Sequence, residues 1–275
     1  MWRRLLVCLL LVTAGCNTLG GGDAGASTPT VTPAPVPAEE TLAPGITDDG
    51  VTNPRALAGA HAGVITNRSY RLTVNRTVRA ANGTLRERLS LELALAANRD
   101  YLVDTGTAGP EAPVFLGTPP ANATFWSNGS TYVRKLTRDG RTTYNTFSPV
   151  EGAGTWQYWA RTVPFGGQQA TPRAFLTRTF RAVDTVVVGR TEANGTTTYR
   201  LRGNETTEQL EADVANPRNV SLTATVTDEG LVRTLSLRYV GTIDGEEVVV
   251  SRTVAYRNVG ATSVERPPWF DRATD

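Results

Sequence analysis

Residues 85–95 read Leu-Arg-Glu-Arg-Leu-Ser-Leu-Glu-Leu-Ala-Leu. Leu85, Leu89, Leu91, Leu93 and Leu95 share one parity, and Arg86, Arg88, Ser90 and Glu92 share the other. Successive side chains of a strand point to opposite faces, so this alternation predicts a strand with one apolar and one wet face. The pattern returns at Leu231, Leu235, Leu237 and Tyr239, set against Thr234, Ser236 and Arg238. Strands dry on one side only belong to antiparallel sheets.

Turn chemistry extends the reading along the chain. Asn82-Gly83, Asn128-Gly129, Asp139-Gly140, Asn194-Gly195 and Asp244-Gly245 are five hairpin signals between alternating segments, and Asp228-Glu229-Gly230 suits a three-residue turn. Together they predict about ten to twelve antiparallel strands in hairpins and meanders. Three or four short helices are expected among them. Residues 54–65 open on Asn53 as N-cap with Pro54 at the first helical position. Residues 172–180 follow Thr171 as cap, residues 152–163 carry Trp156 and Trp159, and residues 204–214 carry acids in their first turns.

A large sheet with one apolar face must cover that face, and the helices are the available lids. The expected fold is therefore α+β and mainly antiparallel β. It is a large curved, half-barrel-like sheet with three or four short helices on its concave face. Trp156, Tyr158, Trp159, Phe165, Phe175 and Phe180 fall in those helices and their connection. They either fill the core or line a pocket for an apolar or lipid ligand.

The N-terminal part reads differently. Arg3 and Arg4 precede eight apolar residues, 5–12, and Thr13-Ala14-Gly15-Cys16 follows as a lipobox. Eight residues rise only about 12 Å as helix, too short for a hydrocarbon core of about 30 Å. Residues 1–15 are thus expected to be a signal peptide, leaving Cys16 as the lipid anchor and the membrane as a partner. An ordinary secretory signal with a chance cysteine is the alternative. The arginine pair suits general secretory or twin-arginine export.

After cleavage Cys16 is the one remaining cysteine. A disulfide, a zinc–thiolate centre and a catalytic thiol are then excluded. Residues 16–53 are rich in Gly, Ala, Thr and Pro and lack aromatics, and they are expected to form a disordered spacer. Residues 54–275 are expected to form a single β-rich domain.

Only Lys135 among the 28 basic residues is a lysine. Loss of Arg3 and Arg4 leaves 26 basic and 26 acidic residues, a formal net charge of zero, so charge argues against nucleic-acid binding. Asn67, Asn75, Asn82, Asn122, Asn128, Asn194, Asn204 and Asn219 each begin an N-x-[ST] sequon. With 14 Asn and 51 Ser or Thr in 275 residues, chance predicts about 2.6. Their parity places them on wet faces or hairpin tips, where glycans are tolerated.

No catalytic constellation stands out. His61 is the only histidine, flanked by Ala60 and Ala62 on an expected helix, where a structural role is the simpler one. There is no G-x-S-x-G, Walker A or H-E-x-x-H motif. Glu246 and Glu247 face opposite ways on a strand. No enzyme activity, cofactor or metal is expected, and a protein partner cannot be read from the chain.

The lipobox, the Thr/Pro spacer, His61 followed by Asn67-Arg68-Ser69-Tyr70, the Arg/Thr-rich strands and the sequon density resemble haloarchaeal surface lipoproteins of unknown function. The layout is also similar to the half-barrel of periplasmic lipoprotein carriers and mycobacterial lipid-transfer lipoproteins. That resemblance implies an extracytoplasmic lipoprotein that binds or carries an apolar ligand. A non-catalytic surface interaction or sensor module is the alternative.

Overall fold

The computed structural model describes residues 40–148, 171–206, 210–211 and 213–275. Thirteen strands and three helices are described. They are β1 Ile46–Thr47, β2 Gly50–Val51, α1 Pro54–Thr66, β3 Tyr70–Ala80, β4 Leu85–Leu95, β5 Tyr101–Ala108, β6 Ala121–Ser127, β7 Tyr132–Arg138 and β8 Arg141–Phe147. The second half holds α2 Pro172–Ala182, β9 Val183–Ala193, β10 Thr196–Thr206, β11 Ala215–Thr227, β12 Val232–Ile243, β13 Glu246–Arg257 and α3 Asp271–Thr274.

Eleven strands form one open, curved antiparallel sheet in the order β8-β7-β6-β5-β4-β3-β13-β12-β11-β10-β9. This is two meanders joined at their ends. β3, the first strand of one, pairs with β13, the last strand of the other. The turn signals account for much of the register. Asp139-Gly140, Asn194-Gly195 and Asp244-Gly245 have positive φ at both residues, as a two-residue type I′ hairpin requires. They close directly on the pairs Arg138–Arg141, Ala193–Thr196 and Ile243–Glu246.

The parity expected from the leucines decides which face is buried. Leu72, Leu91, Leu93, Val103, Phe125, Leu222, Leu235 and Val250 are all buried on the inner face. The outer face carries Thr and Arg, with hydroxyl pairs such as Thr225–Thr234 at 2.7 Å across neighbouring strands.

Helices α1 and α2 pack against each other and over the inner face. Asn53 caps α1 by accepting from Ala56 N–H at 3.1 Å, and Thr171 caps α2 by accepting from Ala174 N–H at 3.2 Å. Leu57 and Ala58 of α1 and Phe175, Leu176 and Phe180 of α2 enter the core. Helix α3 belongs elsewhere. It follows Phe270, whose ring meets outward-facing Trp126 edge-on at 5.1 Å, while Trp269 packs near Tyr144.

Three expectations change. The described residues of the helix expected at 204–214 are not helical. β10 runs through Thr206, Glu211 and Val214 make an isolated antiparallel bridge, and β11 starts at Ala215. Glu211 and Asp213 of that stretch serve an ion-pair cluster instead of a helix. The spacer does not extend to residue 53. Ala43 and Ile46 are buried in the core, and β1–β2 docks beside β9, where Val51 N–H donates to Thr185 Oγ1 at 3.1 Å. Leu42, Ala43, Ile46 and Val51, scattered among Gly, Thr, Asp and Pro, were too few and too irregular to mark this stretch as folded. Not every helix lies over the inner face, since α3 is carried to the opposite side by the aromatic contacts of Trp269 and Phe270. The helix expected at 152–163 lies outside the described residues.

Candidate functional site

On β3 the inward row Tyr70, Leu72, Val74 and Val78 is interrupted by Arg76. On β13 the row Val248, Val250, Val254 and Tyr256 is interrupted by Arg252. The register makes these two arginines direct cross-strand partners. Both are buried, with exposures of 7% and 3%. Like charges facing each other on a dry surface are unfavourable twice over, by desolvation and by repulsion.

Acids from two other elements compensate. Glu211, in the connection between β10 and β11, lies over the pair. Arg76 Nε and Nη2 donate to its Oε2 at 3.0 and 2.8 Å. Its Oε1 stands 3.0 Å from Arg252 Nη2. Arg76 also donates to Glu87 of β4, and to Asp213 at 3.3 Å. Asp213 is exposed, so the cluster runs from solvent to the inner face. Phe175 of α2 stacks under the second arginine, with Arg252 Cζ 5.2 Å from the ring centroid.

The charges act on one another. Burial opposes ionisation of Glu211, and Arg252 and Arg76 overcome it, holding its carboxyl below the usual range. Burial lowers the Arg252 guanidinium, with Glu211 opposing. Tyr239, directly beside Val250 on β12, has its phenol pushed well up, first by burial and then by the Glu211 charge. Among the described residues, Tyr239 Oη, Glu211 Oε1 and Arg252 Nη2 are buried without a hydrogen-bond partner. The Glu211–Arg252 contact is therefore an ion pair without hydrogen-bond alignment.

His61 lies toward the opposite end of the same strands. It is fully buried on α1, its Nδ1 accepts from Val232 N–H at 3.2 Å, and its ring meets Tyr256 edge-on at 4.7 Å. Burial lowers its pKa to about 4. A neutral ring that accepts a backbone N–H ties α1 to the start of β12, which is a structural task.

Of the expected pocket residues, Phe175 and Phe180 are buried in the core and Phe175 touches the arginine cluster. Trp156, Tyr158, Trp159 and Phe165 lie outside the described residues, as does Cys16. All eight sequon asparagines are exposed. Asn82, Asn128 and Asn194 sit in turns, Asn67 caps the end of α1, and Asn75, Asn122, Asn204 and Asn219 are on outward strand positions. Among the described residues no group of acids, His and Cys is arranged to hold a metal ion, and no helix is long and apolar enough to cross a membrane.

A family model matches residues 2–273. The chain belongs to DUF7537, a family of unknown function. None of the curated proteins matches this DUF7537 chain. Among solved structures it is similar to LprF from Mycobacterium bovis, at 12% identity and a TM-score of 0.34, covering 78% of this chain and 96% of that one. It is also similar to a DUF1329 family protein from Desulfovibrio piger, at 10% identity and a TM-score of 0.26, covering 80% and 97%. A third is a LolA superfamily protein from Nitrosomonas europaea, at 7% identity and a TM-score of 0.25, covering 77% and 94%.

The arginine pair escaped the sequence reading although a signal was present. Arg76 interrupts the apolar parity row from Tyr70 to Val78, Arg252 interrupts that from Val248 to Tyr256, and Glu87 does the same between Leu85 and Leu89. Glu211 had no such mark, because only the fold brings it over the sheet.

Proposed function

We propose that this chain is an extracytoplasmic lipoprotein, held at the membrane by a lipidated Cys16, that binds an apolar or lipid ligand between its sheet and its helices. The observation that carries this reading is the extent and chemistry of the apolar face. Eleven strands spaced about 4.8 Å apart span roughly 48 Å, and among the described residues two helices, α1 and α2, lie over that face. Among the described residues, α1 and α2 touch β12, β13 and β9. The apolar face continues beyond them through Leu91, Val103, Phe125, Tyr132 and Phe147. Such a surface, apolar with few convergent polar groups, suits a hydrophobic ligand.

Native mass spectrometry of the purified full chain tests this. A lipid-mass adduct that is lost on denaturation is the expected result, whereas a bare protein with covalent additions only would overturn the reading. Cys16→Ser should move the chain from the membrane to the soluble fraction, and an unchanged distribution would sink the anchor.

A second reading is a non-catalytic surface interaction module. Eight exposed sequon asparagines and a Thr/Pro-rich stretch before the domain support it. It predicts glycan mass on those sequons and a protein partner in crosslinked membranes.

A further inference from the structure

We propose that Arg76, Arg252 and Tyr239 form a seat for the acid head group of a single-headed anionic amphiphile, a place held in the free protein by the Glu211 carboxylate. This rests on the ligand-binding reading above and adds the chemistry of the ligand's polar end.

The argument begins with the asymmetry of the pair. Arg76 has three acid partners, Glu211, Glu87 and Asp213. Arg252 has Glu211 as its acid partner, and that contact lacks hydrogen-bond alignment. If the Glu211 side chain turned away, Arg76 would keep two acids, and Arg252 would be left buried with none. A buried guanidinium without an anion is strongly unfavourable, so the place above Arg252 must be refilled by negative charge. One carboxylate, or a phosphate contributing one charge in the same place, restores what Glu211 supplied.

Two donors of the cluster make no hydrogen bond among the described residues: Arg252 Nη2, which Glu211 holds by charge alone, and Tyr239 Oη, both fully dry. A planar acid group can accept from both, which the aligned contacts of Glu211 to Arg76 do not allow it to do. Phe175 lines the floor beside them, and apolar residues of the inner face surround the cluster on β3, β12 and β13. An acid head on the arginines therefore leaves an attached alkyl chain against apolar surface. With Glu211 turned away, a neutral head would leave the Arg252 guanidinium buried without an anion, so the seat selects an acid head. The cluster ends at exposed Asp213, which gives the head group a polar path from solvent.

The test compares ligands that differ only at the head. Dodecanoate, dodecyl phosphate, dodecanol and inorganic phosphate are titrated against the full chain in competition with a dansylated fatty acid. Dodecanoate should bind at least about tenfold tighter than dodecanol, the worth of one charge-assisted hydrogen bond in a dry site. Glu211→Gln strands the arginines, so dodecanoate should raise its thermal midpoint more than that of the wild type, and dodecanol should not. The double variant Arg252→Leu with Glu211→Gln, which removes both charges together, should bind dodecanoate and dodecanol alike.

Equal affinity of acid and alcohol for the wild type would overturn the head-group seat while leaving an apolar site intact. Inorganic phosphate displacing dodecanoate as well as dodecyl phosphate does would overturn it by making a free anion the ligand. Binding of no amphiphile at all, with no native adduct, would remove the ligand-binding reading too.

Discussion

Arg76 and Arg252 face each other directly across the β3–β13 pairing, on the side of the sheet that is otherwise apolar. These are the strands that join the two meanders. The pair therefore sits on the seam of the molecule, and Glu211 reaches it from the connection between β10 and β11. Strand pairing alone would be weakened there by like-charge repulsion. The acid from above turns a liability of the seam into a tie between the seam and the β10–β11 connection.

Glu211→Gln should destabilise the fold by roughly 3–5 kcal/mol, since it leaves two buried guanidinium groups sharing fewer negative charges. Replacing the triad with apolar residues, Arg76→Met, Arg252→Met and Glu211→Leu together, should cost far less, because no charge is then left stranded. Urea midpoints of the two variants decide the matter. A single variant as stable as the triple would show that the triad is not coupled.

The parts of this architecture that were legible have local causes. Leu89, Leu91 and Leu93 identify the inner face by parity, and Asp244-Gly245 identifies a two-residue hairpin because both residues adopt positive φ. Asn53 and Pro54 identify the start of α1. What was hidden depends on distant partners. Glu211 looks like part of a helix from its neighbours and is a strap across the sheet in the fold. Ile46 is one of a few scattered apolar residues in a Thr- and Gly-rich stretch, yet it is fully buried. Arg76 and Arg252 were visible as breaks in an apolar row. They were overlooked among the many arginines of the opposite face.

His61 gives the stability of the fold an acid limb. Burial lowers its pKa from 6.5 to about 4, so the folded protein holds the neutral ring. The unfolded chain takes up a proton as pH falls below 6.5, and the folded protein does so only near 4. The contribution of His61 is thus complete above pH 6.5 and is lost as pH falls through the folded value, a change on the order of 3 kcal/mol. His61→Gln should be less stable than wild type near neutral pH and should show a shallower fall between about pH 6.5 and 4. Denaturant midpoints across that range check it. An equally steep fall in the variant would assign the acid limb to other groups, with Glu211 next in line because its depressed pKa also loses stability towards lower pH.

Gly50 tests where the folded domain begins. Its φ is +109, and a Cβ placed there would stand 1.8 Å from the backbone oxygen of Thr185 on β9. No side chain fits without parting β2 from β9 and breaking the hydrogen bond from Val51 N–H to Thr185 Oγ1. Gly50→Ala should therefore cost roughly 2–4 kcal/mol, combining backbone strain with a steric clash. Gly63 supplies the contrast. It lies exposed on α1, and a Cβ there would meet nothing within 4 Å, so Gly63→Ala should stabilise by roughly 0.5–1 kcal/mol through helix propensity. Thermal or urea unfolding of the two alanine variants separates a structural β1–β2 arm from a loose spacer. If residues before 54 were only a tether, Gly50→Ala would leave the midpoint unchanged, and the buried places of Ala43 and Ile46 would have no energetic meaning.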